Sequence, residues 1–219
     1  GVVALDPAFV RLQVEAVLDD FDVGSVKTGM LANGGVVAEV ACLAEQDRLP
    51  RLVVDPVLVS STGHSLLEPE GIAAYLERLL PRALVATPNL REAAVLGGTT
   101  VEALVSLDAR VAVADAIRTR GARWVVVKGG HLTDSADDVV VGPEGVTVLP
   151  GARVATGNDH GTGCSLSAAI AARLAQGDEV LDAITAAKAF VHRALAGSAG
   201  WRLGAGHGPV DHFGWSARP

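Results

Sequence analysis

Aromatic residues are scarce, at 4% of 219 positions. This argues against a base-stacking surface and leaves the core to small aliphatic side chains. Basic runs are missing too. The 18 Lys and Arg are outnumbered by 25 Asp and Glu, a net charge of −7, which disfavours contact with nucleic acid or an anionic membrane. Any phosphate must then be held locally, by backbone amides and a few cations. The two cysteines, Cys42 and Cys164, are too few for a disulfide scaffold and read as reduced thiols of a cytoplasmic protein. No apolar stretch reaches the roughly eighteen residues of a membrane span, and the start lacks a signal-peptide pattern. There is no initiator Met, and Gly1-Val2-Val3 reads as a strand or loop interrupted midway, so a preceding segment is expected.

Hydrophobic residues make up 49% of the chain and charged residues 20%, enough apolar material for one large α/β domain across 1–219. Short aliphatic runs at 24–27, 51–54, 83–86 and 123–127 alternate with helical patterns such as 34–47 and 101–120. That alternation predicts a mainly parallel sheet covered on both faces. A hairpin is expected from 137–141 and 146–149, turning at Gly142-Pro143-Glu144-Gly145. Two Ala-rich helices follow, at 162–176 and 179–196, and the tail from Trp201 reads as irregular. Nothing resembles a linker or an internal repeat.

In such a sheet, ligands sit beyond the carboxyl ends of the strands. Polar residues collect there: Lys27 after the first strand, Asp55 after the second, Thr87, Asn89 and Glu92 after the third, and Lys128, Gly129, Gly130 and His131 after the fourth. The run Asn158-Asp159-His160-Gly161-Thr162-Gly163-Cys164-Ser165 opens an apolar helix. Glycines let backbone approach a ligand, and helix N-terminal amides favour anions, including the charge on a transferring phosphoryl group. Read alone, the run is equally an ordinary helix start capped by Thr162 or Ser165, and it lacks the Walker pattern. Cys164 falls in the first helical turn, a position that favours thiolate and suits a general base. Asn89 and Glu92 are three residues apart at a helix start. There they are either a plain cap or a carboxylate and amide that hold water around Mg²⁺. Lys128 is either a crevice cation or a solvated strand end, and Asp55 before Pro56 either a ligand or a turn residue. The histidines His131, His160, His207 and His212 do not have the spacing of a zinc site, and Gly206-His207-Gly208-Pro209 reads as loop-shaping.

Six motifs occur in order: Lys27-Thr28-Gly29-Met30-Leu31, Asp55-Pro56-Val57, Thr87-Pro88-Asn89 with Glu92, Val127-Lys128-Gly129-Gly130-His131, His160-Gly161-Thr162-Gly163-Cys164, and Gly206-His207-Gly208-Pro209-Val210-Asp211-His212-Phe213. Together they resemble the hydroxymethylpyrimidine/phosphomethylpyrimidine kinases of thiamine biosynthesis, the last two being the most specific. The resemblance implies a ribokinase-like three-layer sandwich, α/β, with a mainly parallel central sheet and helices on both faces. It further implies two successive MgATP-dependent phosphorylations of a hydroxymethylpyrimidine in a cytoplasmic homodimer. By the same carry-over Cys164 is the base, and the amides of Gly161, Thr162, Gly163 and Cys164 form an anion hole. Lys128, Asn89, Thr156 and Lys188 attend the nucleotide, Met30 packs on the pyrimidine, and Glu92 with Asp55 serves the metal.

The family pattern begins with a Gly- and Ser-rich loop after its first strand and with further residues that grip the pyrimidine; neither is found here, so roughly the first fifty residues of that pattern are expected to be missing, and the family has Thr where Asp159 stands. A carboxylate at 159 is expected either to repel substrate or to turn away and help with Mg²⁺. A related vitamin B6 kinase, usually with Asp in place of Cys164, and an inactive pyrimidine-binding domain are the competing readings.

Overall fold

The computed structural model describes residues 3–58, 67–130, 132 and 135–217; His131 of the fourth motif lies outside them. Six strands form one sheet in chain order: β1 (Lys27–Thr28), β2 (Val53–Val54), β3 (Val85–Ala86), β4 (Trp124–Val127), β5 (Asp138–Gly142) and β6 (Gly145–Leu149). The first four are parallel, and β5 and β6 return as an antiparallel hairpin. The helices are α1 (Pro7–Asp20), α2 (Gly34–Glu45), α3 (Pro69–Ala74), α4 (Leu90–Gly97), α5 (Leu107–Thr119), α6 (Thr162–Ala175) and α7 (Val180–Ser198).

Strand alternation assigns the layers. Val54, Ala86, Val125, Val127, Val139 and Val141 face one core, shared with α2, α4 and α5. Val53, Val85, Val126 and Val140 face the other, filled by Leu166, Ile170 and Leu174 of α6 and Ala183, Ile184 and Ala187 of α7. Side chains with a period of two on strands meet stripes spaced three or four apart on helices. The result is the expected three-layer α/β sandwich. Among the described residues no helix is long and apolar enough to cross a membrane.

The strands are shorter than the sequence suggests, for local reasons. Arg51 adopts φ +43°, a left-handed turn that cannot belong to β2. At the other edge, a Cβ on Gly24 would stand 3.1 Å from Ala175, so that segment serves as a close contact with α6. Lys27 therefore sits within β1 instead of after it. The expected helix 101–120 is two pieces, a 3-10 turn Val101–Leu104 and α5, because Ser106 accepts a hydrogen bond from Ala109 N and starts a new helix. Asp47, at φ +55°, ends α2 early. Two helices went unread in the sequence. In α1, Asp6 caps the amides of Ala8 and Phe9 ahead of Pro7, and α3 runs on into a π-helical stretch, Tyr75–Leu79.

One glycine fixes the geometry at the end of β4. Gly129 N donates to Asp138 Oδ1 at 2.8 Å, and a Cβ there would lie 2.0 Å from the Asp137 carbonyl oxygen. Gly129→Ala must push the start of β5 away, an overpacking expected to cost about 1–3 kcal/mol. Thermal melting should show the loss, and an unchanged melting temperature would mean that the hairpin yields freely.

Candidate active site

The parallel strands place Met30, Asp55, Thr87, Asn89 and Lys128 at one sheet edge. Asp55 is its hub. The side chain is 2% exposed and receives Lys128 Nζ at 2.9 Å and Thr87 Oγ1 at 3.2 Å on Oδ1. On Oδ2 it receives Ser167 Oγ of α6 at 3.1 Å, and Lys27 Nζ lies 3.9 Å away. As found, the Asp55 carboxylate is saturated by donors and does not stand open to an ion. A buried ion pair is tolerated only when its remaining lone pairs are also met, and here they are.

Lys128 also reaches Glu92, with Nζ–Oε2 at 4.0 Å. Asn89 and Glu92 form a full capping box on α4: Glu92 N donates to Asn89 Oδ1 at 3.0 Å, and Asn89 N to Glu92 Oε2 at 2.7 Å. The plain helix cap and the proximity to the crevice cation are thus both real. Burial raises the Glu92 carboxyl from 4.5 to about 7, with Lys128 and the Asn89 amide pulling it back and Asp55 adding to the rise.

The glycine run closes the site from the other side of the sheet. Gly161 takes φ +86°, which favours glycine, and turns the chain into α6. No side chain caps that helix; Thr162 N donates to the Asp159 carbonyl at 3.3 Å, and the amides of Gly163 and Cys164 follow in the first turn. The expected cap Ser165 instead shares a 2.7 Å hydrogen bond with His212 Nε2. A Cβ on Gly163 would stand 3.2 Å from Lys128 Nζ; the bare glycine lets ammonium and helix terminus adjoin. Cys164, next in the chain, carries an exposed free thiol. Met30 is also open, at 45% exposure.

The remaining expected residues are placed as follows. Lys188 Nζ is 2.8 Å from Asp138 Oδ2 and donates to the Ala136 carbonyl at 2.7 Å. Since Val139 pairs with Val127, this brings Lys188 to the same sheet edge. Thr156 Oγ1 accepts from Asn158 N at 3.0 Å and shapes the approach to the glycine run. Asp159 turns away toward the tail, where His207 Nδ1 donates to its Oδ1 at 2.9 Å. That tail is irregular yet docked. His160 bridges to Pro209, and Asn158 Nδ2 donates to the carbonyls of Ser198 and Trp201 at 2.7 and 2.9 Å. Ser167 and Asp138 escaped the sequence reading. A serine beside Leu166 and one turn before Ile170, on a buried helix face, was a usable signal; Asp138 gave none.

Against known proteins, residues 1–211 match the model of the phosphomethylpyrimidine kinase family. The chain belongs to that family. It is 44% identical to a hydroxymethylpyrimidine/phosphomethylpyrimidine kinase of Rhizobium meliloti (strain 1021), over 97% of this chain and 80% of that protein. Among solved structures, an ADP complex of Bacillus subtilis pyridoxal kinase superposes with TM-score 0.89 at 34% identity, over 100% of this chain and 80% of that one. A phosphomethylpyrimidine kinase from Clostridium difficile 630 gives 0.75 at 32% identity, over 89% and 80%. The ribokinase-like fold and the kinase class follow for this phosphomethylpyrimidine kinase family member.

Glu92 also makes stability depend on pH. Its folded value lies above its ordinary one, so the folded protein holds this proton more tightly. The contribution is full below 4.5 and is lost as pH rises through about 7. Glu92→Gln keeps an acceptor for the Asn89 amide and removes the titration. Between pH 5 and pH 8 the wild type should lose on the order of 2 kcal/mol more than the variant. Equal losses in denaturant melts at both pH values would place Glu92 at an ordinary acidity.

Proposed function

We propose that this chain transfers the terminal phosphoryl group of ATP to the 5-hydroxymethyl oxygen of 4-amino-5-hydroxymethyl-2-methylpyrimidine, and then phosphorylates the resulting monophosphate. The observation that carries this is the uncapped α6 N-terminus with Gly163 against Lys128 Nζ. It is an anion site whose cation is already held in place, by Asp55.

In this reading the amides of Gly161, Thr162, Gly163 and Cys164 and the Lys128 ammonium receive charge as it grows on the transferring group. The Cys164 sulfur takes the hydroxymethyl proton as oxygen attacks the terminal phosphorus and ADP departs. Met30 packs on the pyrimidine, and Lys188 and Thr156 line the nucleotide side. Glu92 and Asn89 would hold Mg²⁺ through water, and the ion supplies charge neutralisation when bound. A carboxyl that burial raises to about 7 fits such a role, since an arriving cation favours its ionised form. Asp55 acts through Lys128 in this scheme and not as an open ligand. A single catalytic domain, cytoplasmic and dimeric, completes the proposal. The free thiols support the compartment, and the exposed Phe9 and Leu12 of α1, with Phe21 just past its end, support a self-association surface.

Cys164→Ala should lower kcat by roughly 10²–10⁴, as removal of a general base does, with little change in apparent ATP affinity. Near-normal kcat would take the thiol out of the mechanism. The likeness to a pyridoxal kinase structure keeps a second substrate class in view, that of B6 vitamers. Turnover on the hydroxymethylpyrimidine should exceed turnover on pyridoxal under matched conditions, and the reverse order would reassign the enzyme.

A further inference from the structure

The crevice holds one ammonium more than its central ion pair needs. Lys27 pairs in register with Val53, and Val53 faces the α6 layer, so the lysine stands on the same side of the sheet as the glycine run. Its Nζ lies 3.9 Å from Asp55 Oδ2, and its side chain is 21% exposed. That distance is too long for a hydrogen bond, and among the described residues the Lys27 ammonium makes none. Asp55 is already served, by Lys128 and Thr87 on Oδ1 and Ser167 on Oδ2. Glu92 faces Lys128 instead, at 4.0 Å. All three N–H donors of Lys27 are thus free for a ligand. A Cβ on Gly29 would stand 3.0 Å from this Nζ, much as one on Gly163 would stand 3.2 Å from Lys128 Nζ. At each ammonium a bare glycine leaves the charge uncovered.

Position in the sheet sets Lys27 apart from the nucleotide side. It lies in β1, three residues before Met30, whereas Lys188 meets Asp138 at the start of β5, four strands across. A group tethered to the hydroxymethyl carbon of a pyrimidine on Met30 has to lie between Met30 and Lys128. The first substrate is neutral there. The second carries a phosphate monoester, close to two negative charges near neutral pH, into a chain of net charge −7. We propose that Lys27 binds that phosphate: it forms a phosphate-monoester subsite that the second transfer uses. The inference rests on the pyrimidine-kinase reading above. In that transfer a monoester oxygen bonds to the terminal phosphorus of ATP, the bond from this phosphorus to the bridging oxygen breaks, and ADP leaves with the electron pair. Two anions have to meet, and Lys27 and Lys128, on the two oxygens of Asp55, each offset one of them.

Calorimetry on the full chain, without nucleotide or Mg²⁺, compares 4-amino-5-hydroxymethyl-2-methylpyrimidine with its monophosphate. The wild type should bind the monophosphate about 10- to 100-fold more tightly, as one charge-assisted hydrogen bond allows. Added salt should shrink that preference. Lys27→Met should erase it, lowering monophosphate affinity beyond any change for the unphosphorylated pyrimidine, and Lys27→Arg should keep most of it. A general loss of structure would weaken both ligands alike and leave their ratio standing. A wild type that binds both compounds equally overturns the subsite without any variant. Lys27→Met with the wild-type ratio overturns it too, and a loss that falls on ADP affinity instead assigns the lysine to the nucleotide. In each of these cases the unphosphorylated pyrimidine is still bound and the kinase reading stands. A wild type that binds neither pyrimidine overturns that reading, and the subsite with it.

Discussion

The ion pair between Asp55 and Lys128 organises this crevice. Both partners are largely shielded, at 2% and 14% side-chain exposure, so neither charge could stay buried alone. Breaking such a pair costs about 3–5 kcal/mol, whereas a surface pair contributes about 1 kcal/mol or less. The surrounding groups follow from that constraint. Thr87 and Ser167 complete the carboxylate's hydrogen bonds, and Gly163 leaves the ammonium room beside α6. The second core layer holds α6 through Leu166, Ile170 and Leu174, so helix packing sets where the glycine run meets the ammonium.

Charge balance runs through the site. The chain is acidic overall, yet the crevice gathers Lys27, Lys128 and Lys188 around Asp55, Glu92 and Asp138. Lys128 and Lys188 are each held by a carboxylate, at 2.9 and 2.8 Å, which cuts the entropy of a long flexible side chain, and Lys27 stands 3.9 Å from Asp55. A nucleotide's phosphates would thus meet cations already in place, plus amides that need no reorganisation. Asp159 does not disturb this balance, because His207 takes it toward the tail.

Much of the fold was legible because its signals are local. Strand–helix alternation, the Pro143-Glu144 hairpin turn and the apolar stripes of α6 and α7 depend on neighbours within a few residues. Boundaries failed where backbone conformation overrode composition, as at Arg51 and Asp47, or where Ser106 restarted a helix inside a continuous apolar pattern. For the site, residue type and placement after each strand were enough to single out Asp55, Glu92, Lys128 and the glycine run.

What the sequence determined by itself is the list of residues along one sheet edge and the family to which they belong. Tertiary structure decided what each does to the others. Asp55 and Lys128 are 73 residues apart, and nothing local says that the carboxylate is filled by donors while Glu92 keeps a proton to about pH 7. Nor does local pattern bring Ser167 or Asp138 to the crevice, or dock the tail on the glycine run. Such partnerships arise when strands pair and helices pack. Burial and charge at a site are properties of that assembled surface, not of any stretch of chain.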